Sequence, residues 1–289
     1  MKANDKQKPL GTKHKVREEK EKAKRLAVVL TVTILTAVIV VSGFALYFVL
    51  NPSQTFITGE PKAAIVDQGS LSPTAGPNPY FIENVTNTLN QSGYAVDYYS
   101  GEKVTVDFYR NLPTHGYSII ILRVHSAPLI RDGEEIPLIN LFTSEPYSTS
   151  SHFSEQLNDE LVKAVYYEGS PEYFAIPPSF IKNRMQGTFN NATIIMMGCD
   201  GLKYPSTAQA FIEKGAKAYI SWNGPVSATH TDQATMNLLQ HLLIQNQTIK
   251  ESINQTLNET GYDPTYFTQL KYYPPNAGNQ AITNTTNKH

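Results

Sequence analysis

Two stretches of this chain are apolar without alternation, Tyr117-Ser-Ile-Ile-Ile-Leu-Arg-Val124 and Ala192-Thr-Ile-Ile-Met-Met197. A strand with one face in water alternates polar and apolar positions, so such runs predict central strands of a parallel sheet, covered on both faces. Shorter strand-like runs stand at Ala63–Asp67, Ala95–Tyr99 and Ala216–Ser221. Between them the apolar positions take helical spacing: Tyr80–Leu89, Thr105–Leu112, Ser154–Tyr166, Pro178–Met185, Ser206–Lys214 with Gly215 as its C-cap, Thr229–Ile244 and Thr248–Asn258. Strands alternating with helices predict an α/β domain with a doubly wound, mostly parallel sheet. Leu129–Phe142, broken by Asp132-Gly133, predicts a β-hairpin projecting from that sheet, and Leu270–Tyr273 a further edge strand.

A different pattern precedes the domain. Leu26–Leu50 runs for twenty-five residues without a charged side chain, and about 20 apolar residues cross a bilayer core. The alternative is a secretory signal, whose apolar region is only about 7–15 residues long; no small-x-small cleavage site follows this run convincingly. Ten Lys and Arg residues precede it and none follows until Lys62, which keeps the N-terminus in the cytoplasm and places the remainder outside. The expected organisation is a basic cytoplasmic tail (1–25), one transmembrane helix (26–50), a polar stalk (51–61), an extracytoplasmic domain (62–273) and a disordered Pro/Asn/Thr-rich tail (274–289). Sequons at Asn84, Asn90, Asn191, Asn246, Asn254, Asn258 and Asn284 suit a glycoprotein in that location.

Charge narrows the partners. Ten of the 24 basic residues and four of the 25 acidic ones lie before the apolar run, so the rest of the chain carries 14 against 21. An acidic domain argues against nucleic acid as a partner. The basic tail could be read as a nucleic-acid arm, but beside a span it is more simply a topology determinant that meets lipid head groups. The lipid bilayer, through residues 26–50, is the first expected partner.

Chemistry is concentrated at two strand ends. In open α/β sheets ligands sit beyond the carboxyl ends of the strands. His125 follows the first buried run, and Cys199, the only cysteine of the chain, follows the second after Gly198. A thiol nucleophile needs a group that takes its proton and returns it to the leaving group, and one imidazole serves both steps. Glycine at 198 and 201 lets the main chain approach a substrate, and N–H groups of that turn would stabilise a developing oxyanion. Against this, free cysteines are often simply buried, and a lone histidine at a strand end is often structural. Zinc held by Cys199, His125 and His230 lacks any close-spaced ligand pair, so no metal and no cofactor is expected. A lone cysteine also permits a disulfide between two chains.

An apolar strand followed by His, and a later one followed by Cys, resembles the caspase, gingipain and legumain group of cysteine peptidases, clan CD. Ser206–Trp222 is similar to the Gly-Ala-containing helix and strand of gingipain-like and CHAT domains, and the resemblance spans roughly Ala63–Asn258. It implies a caspase-like fold, His125 as catalytic histidine, Cys199 as nucleophile, and an oxyanion hole from backbone near Ser126 and Cys199. One departure stands out: the family has Gly after the histidine where this chain has Ser126-Ala127, while His115-Gly116 precedes the strand and reads as a turn.

Asp67, Ser126, Gly198, Trp222 and Asp232 fall on the same expected sheet edge as substrate-binding residues. An acidic Asp67 or Asp232 in a pocket would favour Arg or Lys at the cleavage position, although Asp232 also suits the first turn of a helix and Asp67 a strand end. The expected function is a membrane-anchored extracytoplasmic cysteine peptidase acting on protein or peptide substrates. The alternative is an inactive caspase-like surface module that binds without cleaving.

Overall fold

The computed structural model describes residues 60–282 and four isolated positions before them, 22, 24, 25 and 36. Apart from those positions, the expected tail and membrane span, and the stalk up to residue 59, lie outside the described residues. Among the described residues no helix is long and apolar enough to cross a membrane.

The domain opens with β1 (Lys62–Asp67), α1 (Pro79–Gln91), β2 (Ala95–Ser100), α2 (Val106–Asn111) and β3 (Tyr117–Leu122). A meander follows: β4 (Ser126–Arg131), β5 (Glu134–Pro146), α3 (Phe153–Leu157), β6 (Val162–Ala164) and β7 (Tyr173–Ile176). Then come α4 (Pro178–Asn183), β8 (Thr193–Met196), α5 (Ser206–Glu213), β9 (Ala218–Trp222), α6 (Ala228–Leu239), α7 (Ile249–Thr260) and β10 (Leu270–Tyr273).

Six strands form the main sheet in the order β10-β9-β8-β3-β1-β2. All neighbours are parallel except β10, which runs antiparallel to β9. The two continuous apolar runs are adjacent central strands, β3 and β8, with Leu122 opposite Met196. Side chains alternate between faces along a strand. Val66, Ile120, Leu122, Ile194 and Met196 therefore point to one core with Tyr109 of α2, Phe180 of α4 and Phe211 of α5. Ile65, Ile119, Ile121, Ile195 and Ile220 point to the other, with Phe81 and Val85 of α1, Leu238 of α6 and Ile253 of α7. The sheet is thus a mixed α/β layer, mostly parallel and covered on both faces.

Several helix ends are fixed by their own side chains. Asn78 accepts the Phe81 N–H at the start of α1. Thr248 and Glu251 cap α7 reciprocally, each accepting the other's backbone N–H.

Three expectations shift. The hairpin turns at Asp132-Gly133, both with positive φ (53° and 81°), as a two-residue hairpin demands. Its strands do not merely project, however: β4 and β5 join β7 and β6 in a second, four-stranded antiparallel sheet. The helix expected over Ser154–Tyr166 stops at Leu157, because Asp159 adopts a left-handed conformation (φ 51°) and the chain turns into β6. Finally, ordered structure continues past 273: Pro275–Asn279 form a 3-10 turn, and Ala277 and Ile282 are buried in the second core.

Candidate active site

Leu122 and Met196 are paired across β3 and β8, and His125 and Cys199 each stand three positions further on. Adjacent strands lie about 4.8 Å apart, so equal steps past a paired position bring both residues to one edge of the sheet. The order also reverses here: β2 lies on one side of β1 and β3 on the other, the kind of point at which a crevice opens between diverging connections. A cavity of about 460 Å³ opens there, with His125, Gly198, Cys199, Arg123, Asp232 and Tyr266 in its wall.

The connections that make the crevice are short and heavily bonded. After β1 the chain turns at Gln68–Leu71, where the Asp67 carboxylate accepts the Ser70 N–H. Gly69 donates its N–H to the Arg123 carbonyl at 2.8 Å. After β8, a Cβ on Gly198 would stand 2.3 Å from the Val124 carbonyl oxygen and 2.5 Å from Ser126 Oγ, and one on Gly201 would stand 2.1 Å from Ser221 Oγ. Glycine at these positions is therefore demanded by the neighbouring strand ends, whatever else approaches the turn. Asp200 between them is left-handed, with φ 61°.

His125 is half-buried. Its backbone N–H donates to Gln68 Oε1 at 2.9 Å, and its ring packs edge-on against Phe142 (centroids 4.7 Å) and tilted against Tyr166 (5.1 Å). Gln68 also donates from Nε2 to the Tyr166 hydroxyl, so a single buried amide fixes both the histidine backbone and the ring beside it. Burial holds the imidazole below its ordinary pKa, leaving it neutral at neutral pH.

The Cys199 sulfur is engaged by one residue from both directions. Val226 N–H donates to it at 3.4 Å and its S–H donates to the Val226 carbonyl at 3.6 Å. Burial raises the thiol pKa and outweighs the stabilising Val226 N–H, while the Asp200 and Asp263 charges raise it further. The resting pair is a neutral thiol and a neutral imidazole. Among the described residues no hydrogen bond joins them.

The remaining predicted residues divide. Asp232 lines the cavity, but its carboxylate takes a bidentate pair from Arg123, Nε to Oδ1 at 2.8 Å and Nη2 to Oδ2 at 2.9 Å. Arg123 Nη1 reaches Asp67 at 2.8 Å and the Gly76 carbonyl at 3.0 Å. The Tyr98 hydroxyl donates to Asp67, and Asn78, while capping α1, donates to Asp232. Arg123 is 4 % exposed, Asp67 1 % and Asp232 4 %. The two carboxylates expected to receive a cationic substrate side chain are already occupied by an internal guanidinium. Ser126 is buried and donates its hydroxyl to the Cys199 carbonyl at 2.6 Å, tying the two strand ends together without facing the cavity. Trp222 is fully buried, its indole N–H donating to Thr231 and Thr231 in turn to the Met197 carbonyl. It braces the cavity from behind.

No family model matches this chain. No curated protein matches it either. Among solved structures it is similar to the Arg-specific cysteine proteinase gingipain R, at 14 % identity and a TM-score of 0.43, over 78 % of this chain and 45 % of that one. It is also similar to protein GSU0716 from Geobacter sulfurreducens, at 10 % identity and a TM-score of 0.40, over 76 % of this chain and 97 % of that one. The chain thus spans less than half of the gingipain chain it matches.

Gln68, Arg123, Tyr166, Val226 and Asp263 are further residues of the site. Arg123 left a signal: a charge inside an otherwise apolar run must be paired if the strand is buried, and Asp67 and Asp232 were the acids on that edge. Gln68 and Tyr166 left none, being ordinary residues of a turn and a loop. As for metals, among the described residues no group of three or more His, Cys, Asp or Glu side chains is placed to hold one. The His230 ring packs against Trp222, with centroids 5.3 Å apart.

Proposed function

We propose that this chain is a caspase-like cysteine peptidase, with Cys199 as nucleophile and His125 as its acid–base partner, acting on protein or peptide substrates. The observation that carries the reading is the shared cavity: the only thiol of the chain and a half-buried imidazole at matching positions beyond adjacent parallel strands. The strand order β2-β1-β3-β8-β9 with antiparallel β10 is compatible with that fold.

In the proposed reaction the S–H proton passes to His125 as Sγ attacks the scissile carbonyl carbon, because the thiol is not ionised beforehand. Negative charge then develops on the carbonyl oxygen, for which the N–H of Cys199, without a backbone acceptor among the described residues, is a candidate donor. Collapse breaks the C–N bond, and the amine leaves with the proton held by His125. A thioester remains on Cys199. Water, deprotonated by the same imidazole, attacks it and releases the acid and the thiol. For Sγ to turn toward substrate, its two contacts with Val226 must open.

We further propose that residues 26–50 anchor the chain in a membrane, with 1–25 cytoplasmic and the domain extracytoplasmic. The uncharged run and its one-sided basic flank support this. Protease protection of the tail, with sequon occupancy in the domain, tests it; the reverse protection pattern rejects it.

A second reading is an inactive surface module, and one observation favours it: the thiol is held by Val226 and not by His125. Hydrolysis of a peptide library separates the two. The peptidase reading expects cleavage that disappears in both Cys199→Ala and His125→Ala; cleavage that persists in both variants rejects it, and a silent wild-type chain selects the module.

A further inference from the structure

Tyr262, Tyr266 and Phe267 lie in the connection between α7 and β10, and all three rings are exposed, Phe267 to 78 %. The loop carrying them is nevertheless tightly pinned. Asp263, fully buried, accepts the N–H groups of Thr265 and Tyr266 on one oxygen, both at 2.9 Å, and that of Ser227 on the other at 2.7 Å. Phe267 donates its N–H to the Asp263 carbonyl at 2.8 Å, and Asp263 donates its own to Thr268 at 2.9 Å. The Thr268 hydroxyl reaches the Pro225 carbonyl at 2.5 Å. The loop is therefore fastened to the segment 225–227, whose central residue holds the Cys199 sulfur.

Phe267 has a φ of 57°. A bulky residue in the left-handed region is strained, and here the ring is left in water, so neither cost is offset by packing within the domain. Strained conformations persist where the surroundings over-determine them, and they concentrate at ligand-binding sites. Tyr266 supplies the link to a ligand: it lines the same cavity as Cys199 and His125.

We infer that Tyr266, on the cavity wall, and its exposed loop neighbours Tyr262 and Phe267 form a subsite for a large apolar side chain of a bound peptide presented to Cys199. The identity of the occupant rests on the peptidase reading. Tyr266 and Cys199 line one cavity, so an extended peptide lying across Cys199 passes along the Tyr266 wall. The chemistry fits as well: aromatic rings favour aromatic or aliphatic partners at centroid separations of about 4.5–7 Å. Exposed aromatics also occur where proteins meet lipid head groups, but a loop fixed to the Cys199 segment and lining its cavity points to a peptide.

The test uses the full chain in detergent micelles carrying Cys199→Ala, so that binding is read without turnover. Equimolar octapeptide pools, with Phe or Ala fixed at each position in turn, are passed over the immobilised protein and the retained peptides quantified by mass spectrometry. Phe pools are expected to be retained at least fivefold over Ala pools at one or two adjacent positions. That ratio falls to about one in Tyr266→Ala and in Phe267→Gly. Glycine suits a φ of 57°, so the second variant keeps its thermal midpoint and separates loss of the ring from misfolding. Equal retention of Phe and Ala pools, or a preference unchanged in both variants, overturns the subsite. Peptide preference without any cleavage by the wild-type chain leaves the subsite standing and removes the peptidase reading alone.

Discussion

Arg123→Met should be among the most destabilising single substitutions in this domain. Arg123 places four hydrogen bonds on Asp67, Asp232 and Gly76 while 4 % exposed. Methionine fills much of the stem volume but leaves two buried carboxylates with no cation. Removing one partner of a buried ion pair costs about 3–5 kcal/mol. In domains of this size about 1 kcal/mol corresponds to a shift of roughly 2–4 °C in Tm, so a fall of about 6–20 °C is expected. Total stabilities are only about 5–15 kcal/mol, which makes the loss a substantial fraction. Trp222, the only tryptophan of the chain, is fully buried in the domain, so its fluorescence reports this transition in the full-length protein. The combined variant Asp67→Asn/Arg123→Met/Asp232→Asn should recover most of the loss, since replacing a whole buried ionic cluster by neutral groups is often close to neutral. A single variant that loses less than about 1 kcal/mol, or a triple variant no better than the single, would refute the view that these charges exist to satisfy one another.

Three further outcomes are expected. Gly198→Ala forces a Cβ against the Val124 carbonyl at 2.3 Å, a backbone contact that cannot yield cheaply; the cost should be about 3 kcal/mol, read from urea unfolding with an unchanged m-value. For His125, whose folded pKa lies below the ordinary value, the unfolded chain takes up the proton first as pH drops. Its contribution is therefore intact above about pH 6.5 and is lost progressively below, and His125→Gln should flatten that part of the stability–pH curve; an unchanged slope contradicts the assignment. Cys199, with its thiol pKa raised by burial, should react with iodoacetamide more slowly at pH 7.5 than glutathione does, and reactivity matching a low-pKa thiol would contradict the resting state described above.

Much of the scaffold was legible because burial on both faces leaves continuous apolar runs. β3 and β8 announced themselves as neighbours of the core, and Asp132-Gly133 as a turn of defined type. The second sheet was not legible. β6 and β7 are three and four residues long, and Phe153, Leu157 and Leu161 happen to be spaced as on a helix, a pattern that only the left-handed Asp159 interrupts. At the site, the position of each residue just past a continuous apolar run made His125 and Cys199 legible together, while the pairing of Arg123 with Asp67 and Asp232 depends on contacts between distant segments that the local sequence does not mark. Val226 and Asp263 belong to loops that reach Cys199 only through tertiary folding, and nothing in their local sequence marks them.

The most direct measurement of the central claim is covalent capture at Cys199. The full chain is incubated with a peptidyl acyloxymethyl ketone, and intact mass and peptide mapping follow the rate and position of the adduct. One adduct is expected, on Cys199, and His125→Ala should slow its formation by roughly 100-fold or more, the usual size of a positioned acid–base contribution. Labelling at the same rate in His125→Ala, or labelling only after denaturation, would contradict the claim that this thiol and this imidazole act as a pair.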